Sequence, residues 1–113
     1  LRADDYVRML ALRRKAERVM NERSRGVDAW IMPTLPALPH PIAGYRTVAE
    51  AAAWNRLATQ NTRPGNLFGQ CGISLPIQHL GAALPVGLQL TAGGGQDAWL
   101  LDVARAVERL LSH

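Results

Sequence analysis

Two short apolar runs, residues 73–77 and 86–90, lie within the stretch NLFGQCGISLPIQHLGAALPVGLQL, residues 66–90. Gly and Pro introduce or interrupt both. The eight residues between them are too few for the helical crossover that parallel neighbours need. The pair therefore reads as antiparallel strands joined by a loop. A third apolar run, residues 29–32, reads as a buried strand that Pro33 ends. The paired runs do not alternate apolar with polar cleanly, which is the pattern of a sheet covered on both faces, so helices are expected on either side.

Residues 3–24 contain no Pro or Gly and read as a helix, with Tyr6, Met9, Leu12, Ala16, Val19 and Met20 at spacings of three and four, and Val7 and Leu10 broadening the stripe. Asp4 and Asp5 suit its first turn, Arg23 and Arg25 its end, and Gly26 is a natural stop. Thr47 and Glu50 have the spacing of a capping box, predicting a helix through Ala51, Trp54, Leu57 and Ala58 that fades near Gln60. Pro64, Gly65, Gly69 and Gly72 then punctuate the chain into turns or a one-turn helix. After Gly93, Gly94 and Gly95, a last helix places Leu100, Val103, Ala104, Val107, Leu110 and Leu111 on one side.

The prolines at 33, 36, 39 and 41 favour an extended, helix-free course. Their spacing resembles an SH3 ligand, but the apolar fillers Leu35, Leu38 and Ile42 point to a rigid loop packed on the same molecule.

Charge is unevenly spread. Of the net +4, all sits in residues 1–25, and five Arg balance five acids in the remainder. Aromatic side chains do not interleave with the basic ones, so a solvated Arg-rich helix face is the reading rather than a nucleic-acid surface. One cysteine excludes an internal disulfide framework and a Cys-based zinc cluster, and fits a reducing, cytoplasmic setting. No run of about eighteen apolar residues spans a membrane, and no signal peptide is visible. The first residue is Leu1 rather than Met, which leaves a start further upstream open.

The catalytic inventory is thin. His40, His79 and His113 have no metal-ligand spacing. Cys71 and His79 could meet across a loop as an activated thiol, but a lone Cys beside a strand is ordinarily a small buried residue. Ser24, Ser74 and Ser112 lack a Gly-x-Ser-x-Gly setting and a neighbouring base. Lys15, the only lysine, falls near the solvated side of its helix. The Gly93–Gly95 run lacks the Lys-Ser/Thr of a phosphate-binding loop and reads as a strand-to-helix turn.

Asn66-Leu67, Gly69, Ile73-Ser74, Pro76 and Leu84-Pro85-Val86-Gly87-Leu88-Gln89-Leu90 resemble the C-terminal part of the amidase signature family of serine amidohydrolases. Asp28 through Pro33-Thr34 is similar to that family's Asp-to-Pro-Thr strand and loop. The order of pieces matches along essentially the whole chain. Local departures exist: Gly69-Gln70-Cys71-Gly72 stands where the family commonly has Gly-Leu-Pro-Ala, and Gln70 replaces an apolar contact. The family's catalytic Gly/Ser-rich core and lysine have no counterpart here.

The resemblance implies an α/β fold, the C-terminal portion of a mixed-sheet amidase with about three strands and flanking helices. It implies that residues 1–113 form a single segment without the catalytic core, inactive alone and belonging to a parent that hydrolyses small-molecule amides by a Ser-Ser-Lys mechanism. Neither cofactor nor metal is expected. Thr34, Asn66 and Cys71 are the expected substrate-pocket residues. The alternative is a non-catalytic interaction module working through its sheet edges or its Arg-rich helix. Self-association through exposed edges is a further expectation.

Overall fold

A computed structural model describes residues 2–39, 41–77 and 84–112. His40, His79 and His113, and with them the Cys71–His79 pairing, lie outside the described residues. In chain order the elements are α1 (Ala3–Arg23), β1 (Trp30–Pro33), a 3-10 turn (Ile42–Gly44), α2 (Val48–Ala58), α3 (Arg63–Phe68), β2 (Cys71–Pro76), β3 (Gly87–Ala92) and α4 (Asp97–Leu111).

The two runs of the 66–90 stretch do pair antiparallel. Ile73 stands opposite Leu90 and Ser74 opposite Gln89, and Ile77 N–H donates to Val86 O at 3.0 Å beyond the strand ends. The early strand pairs on the other side of β3, with Trp30 opposite Thr91 and Ile31 opposite Leu90. The result is a three-stranded antiparallel sheet in the order β1-β3-β2, flanked by helices.

Side chains alternate across each strand, so the register sorts the sheet into two faces. Leu75, Leu90 and Ala92 pack with Leu100 and Ala104 of α4, and Cys71, Ile73, Leu88, Val103 and Val107 pack around them. Leu90 is fully buried at the centre. The opposite face carries Gly72, Ser74, Gln89 and Thr91. A helix covers the apolar face, and the polar face is met by the segment from α2 into α3, where Gln89 Nε2 donates to Asn61 O at 3.5 Å and Asn61 Nδ2 donates to Pro33 O at 2.7 Å.

Local signals set the helix ends. At α2 the Glu50 N–H donates to Thr47 Oγ1 at 3.2 Å, and Glu50 Oε2 accepts from the Thr47 and Arg46 N–H groups. This satisfies amide donors that a bare helix start leaves unpaired. Gly69 closes α3 at φ +62°, a left-handed conformation that suits a residue without Cβ. Arg13 Nε of α1 donates to Leu67 O at 3.0 Å, fastening the long helix to α3.

Three expectations are corrected. The stripe on α1 is largely open to solvent: Tyr6, Val7, Met9 and Leu12 are all exposed, and no residue of the helix is buried. On α4, Leu100 and Ala104 are buried as expected, but Leu110 is exposed. In the proline loop Leu35, Leu38 and Ile42 are exposed rather than packed, and the course includes the 3-10 turn after Pro41.

Candidate functional site

The polar face of the sheet and the α3 segment enclose a cleft of about 290 Å³. All three residues singled out from the sequence, Thr34, Asn66 and Cys71, line it. They arrive from separate elements. Thr34 follows β1 and is held by its own N–H, which donates to Gly87 O at 2.8 Å. Asn66 is an exposed residue of α3, and Cys71 opens β2.

Ser74, in the middle of β2, brings its hydroxyl to 2.6 Å from Thr34 Oγ1. Gly87 lies directly against both groups: a Cβ there would stand 2.5 Å from Ser74 Oγ and 2.6 Å from Thr34 Oγ1. The glycine thus lets the two hydroxyls meet across the central strand. The sequence reading excluded Ser74 as a nucleophile for want of a base, and its hydroxyl partner in the structure is another hydroxyl.

Cys71 is oriented differently from the other two. Its thiol donates to Gly93 O at 3.3 Å, and its side chain belongs to the shell around the apolar core. That is the bland role expected of a lone cysteine beside a strand.

Gln70 and Gln89 also line the cleft, and sequence reasoning passed over both as site residues. Gln89 is buried, with its amide directed at Asn61 O. Gln70 Nε2 is closed to water and has no hydrogen-bond partner among the described residues. Leaving such a donor unpaired costs about 1–3 kcal/mol. The signal that could have found them is the strand pairing: once Ser74 is placed opposite Gln89, a polar face follows by alternation.

Other chemistry is sparse among the described residues. No group of three or more His, Cys, Asp and Glu side chains could hold a metal ion. No helix is long and apolar enough to cross a membrane. Lys15 is exposed on α1, whereas Ser24 and Ser112 bond to carbonyls of their own helices and Ser74 to Thr34. The arrangement can bind and orient a polar group, but it holds no nucleophile–base pair among these residues.

Comparison with known proteins gives a consistent family. The amidase family model matches residues 1–101. A 2-amino-5-chloromuconic acid deaminase of Comamonas testosteroni is 37% identical over 87 residues, covering 77% of this chain and 19% of that protein. A glutamyl-tRNA(Gln) amidotransferase subunit of Salinispora tropica is 41% identical over 85 residues, covering 75% of this chain and 16% of the relative. A fatty acid amide hydrolase of Oryza sativa subsp. indica is 32% identical over 108 residues, or 94% of this chain and 18% of that enzyme. The chain thus spans less than a fifth of the length of these three relatives. No solved structure matches.

Proposed function

This chain belongs to the amidase family, and from that premise we propose that it is the C-terminal segment of an amide hydrolase whose catalytic core is contributed by residues outside it. The observation that carries this reading is shape. The chain forms a plate with extents of 51 × 45 × 17 Å and a radius of gyration of 17.1 Å. A compact chain of this length has a radius of gyration of about 13 Å. Leu75, Leu90, Ala92, Leu100 and Ala104 make up its buried apolar core, while α1 exposes a row of large apolar side chains. A plate so thin leaves apolar surface that a larger body covers.

In the proposed whole enzyme an upstream serine attacks the carbonyl of a small-molecule amide. The serine's proton passes through a second serine and a lysine to the amide nitrogen, which leaves as ammonia or an amine as the C–N bond breaks. Backbone N–H groups hold the oxyanion, and water then hydrolyses the acyl-serine to free the acid. This segment supplies sheet strands, the flanking α4 and one wall of the substrate pocket, with Thr34, Asn66 and Cys71 on that wall. Its own Lys15 is exposed on α1, and the hydroxyls of Ser24, Ser74 and Ser112 bond to Met20 O, Thr34 Oγ1 and Glu108 O, which supports the view that the segment alone is inactive. The free thiol of Cys71 supports a cytoplasmic location.

The exposed apolar face of α1 also suits a second reading, a non-catalytic interaction module. Amide hydrolysis separates the two. The intact gene product and the purified 12.3 kDa chain are each assayed for ammonia release from primary amides. Turnover by a longer product and none by the 12.3 kDa chain is the expected result. Turnover by the short chain alone sinks the proposal, and an intact product that hydrolyses no amide favours the interaction module.

A further inference from the structure

The polar side chains of the cleft include those of Thr34, Thr62, Asn66, Gln70, Ser74, Gln89 and Thr91, and among the described residues no acid or base lines it. Resting on the reading of this cleft as a pocket wall, we infer that it recognises an uncharged hydrogen-bond acceptor on the substrate, the carbonyl of a second amide or similar group. Gln70 is the specificity-determining residue, and the Thr34–Ser74 hydroxyl pair is its companion donor.

Three observations meet here. The two hydroxyls are 2.6 Å apart and carry two protons, of which one lies between them. The other is free for an acceptor, and the bridging bond polarises it into a better donor. Gln70 lines the same cleft, and its Nε2 is a buried donor with no partner among the described residues. Unpaired donors of this kind are rare in folded chains and point to an acceptor that arrives later. The amide ends on a soft terminal torsion, so a small turn carries it from its closed position toward a ligand in the cleft. Gln89, by contrast, already commits one of its two amide N–H donors to Asn61 O.

Charge decides the class of acceptor. A carboxylate in this cleft would lose water and meet no cation among the described lining residues, whereas a carbonyl needs only the donors present.

The test uses the intact gene product and three primary amides of similar length. Succinamide carries a second carbonyl, 4-methylpentanamide replaces that group with an apolar isostere, and succinamate replaces it with a carboxylate. The wild-type protein is expected to prefer succinamide to both in kcat/KM by about tenfold or more. In Gln70→Leu the ratio of succinamide to 4-methylpentanamide falls by about tenfold, and Ser74→Ala lowers it in the same direction. A merely structural Gln70 lowers both rates together and leaves the ratio in place. An unmoved ratio in both variants, or a wild-type preference for succinamate, overturns the inference. If the product hydrolyses none of the three, ammonia release from other primary amides keeps the amidase reading, and hydrolysis of no amide sinks that reading separately. Calorimetric titration with succinamide then decides: binding that Gln70→Leu weakens upholds the cleft assignment, and absent or equal binding overturns it.

Discussion

Thr34 and Ser74 are forty positions apart, yet their hydroxyl oxygens lie 2.6 Å from one another over the backbone of Gly87. One belongs to the loop leaving β1 and the other to β2, so the bond bridges both edge strands across the central one. Gly87 is what permits it. Its glycine identity is a matter of close approach rather than of backbone dihedral, since it is absent from the positive-φ glycines.

Gly87→Ala is therefore expected to destabilise the chain by about 1–3 kcal/mol through overpacking. Adding Ser74→Ala removes one of the two atoms the new methyl strikes and recovers part of the loss. Urea denaturation of the single and double variants reads the coupling, and simple additivity would count against the crowding described.

Leu90 and Leu110 offer a contrast within one residue type. Leu90 is fully buried between β3's neighbours and α4, so Leu90→Ala should cost about 2–5 kcal/mol. Leu110 is 77% exposed, and Leu110→Ala should stay within about 0.5 kcal/mol in the same chain. Equal losses in thermal or urea unfolding would show that α4 is packed along its whole length.

At the start of α2, Thr47→Ala removes the acceptor of the Glu50 N–H and should cost about 0.5–2 kcal/mol. Thr47→Ser keeps the acceptor and should recover most of it. Because α2 makes few contacts with the sheet, hydrogen exchange should show the loss in residues 48–58 before it reaches the strands.

The exposed stripe of α1 gives a test of what covers this plate. Leu12→Asp should change the stability of the 12.3 kDa chain by no more than about 0.5 kcal/mol, because Leu12 is already in solvent. In an intact amidase the same change should lower the melting temperature by several degrees, about 2 °C or more for each kcal/mol lost. A small effect in both would leave α1 a free surface.

The parts of this structure that could be read from sequence are those whose cause is local. The eight-residue gap allows little but an antiparallel pair, and the Thr47–Glu50 spacing specifies its own hydrogen bonds. Family resemblance singles out Thr34, Asn66 and Cys71, three residues of separate elements that the fold brings to one cleft. Ser74, Gln70 and Gln89 were passed over because each looks isolated until the register brings Ser74 opposite Gln89. Periodicity marked the apolar side of α1 and placed Leu110 on that of α4, but it cannot say whether anything lies against a side. The fillers of the proline loop misled for the same reason: Leu35, Leu38 and Ile42 are apolar, yet solvent meets them.

The strand order β1-β3-β2 also sets a timetable. β3 joins β2 across a short connection, whereas Trp30 waits for Thr91, and closing a loop of about sixty residues carries a larger entropic cost than closing a hairpin. During synthesis β1 emerges from the ribosome long before its partner exists. The hairpin therefore comes first, and β1 is recruited afterwards onto β3's remaining edge. In that order the Thr34–Ser74 bond, which links the segment after β1 to β2, forms only once β1 has joined the sheet.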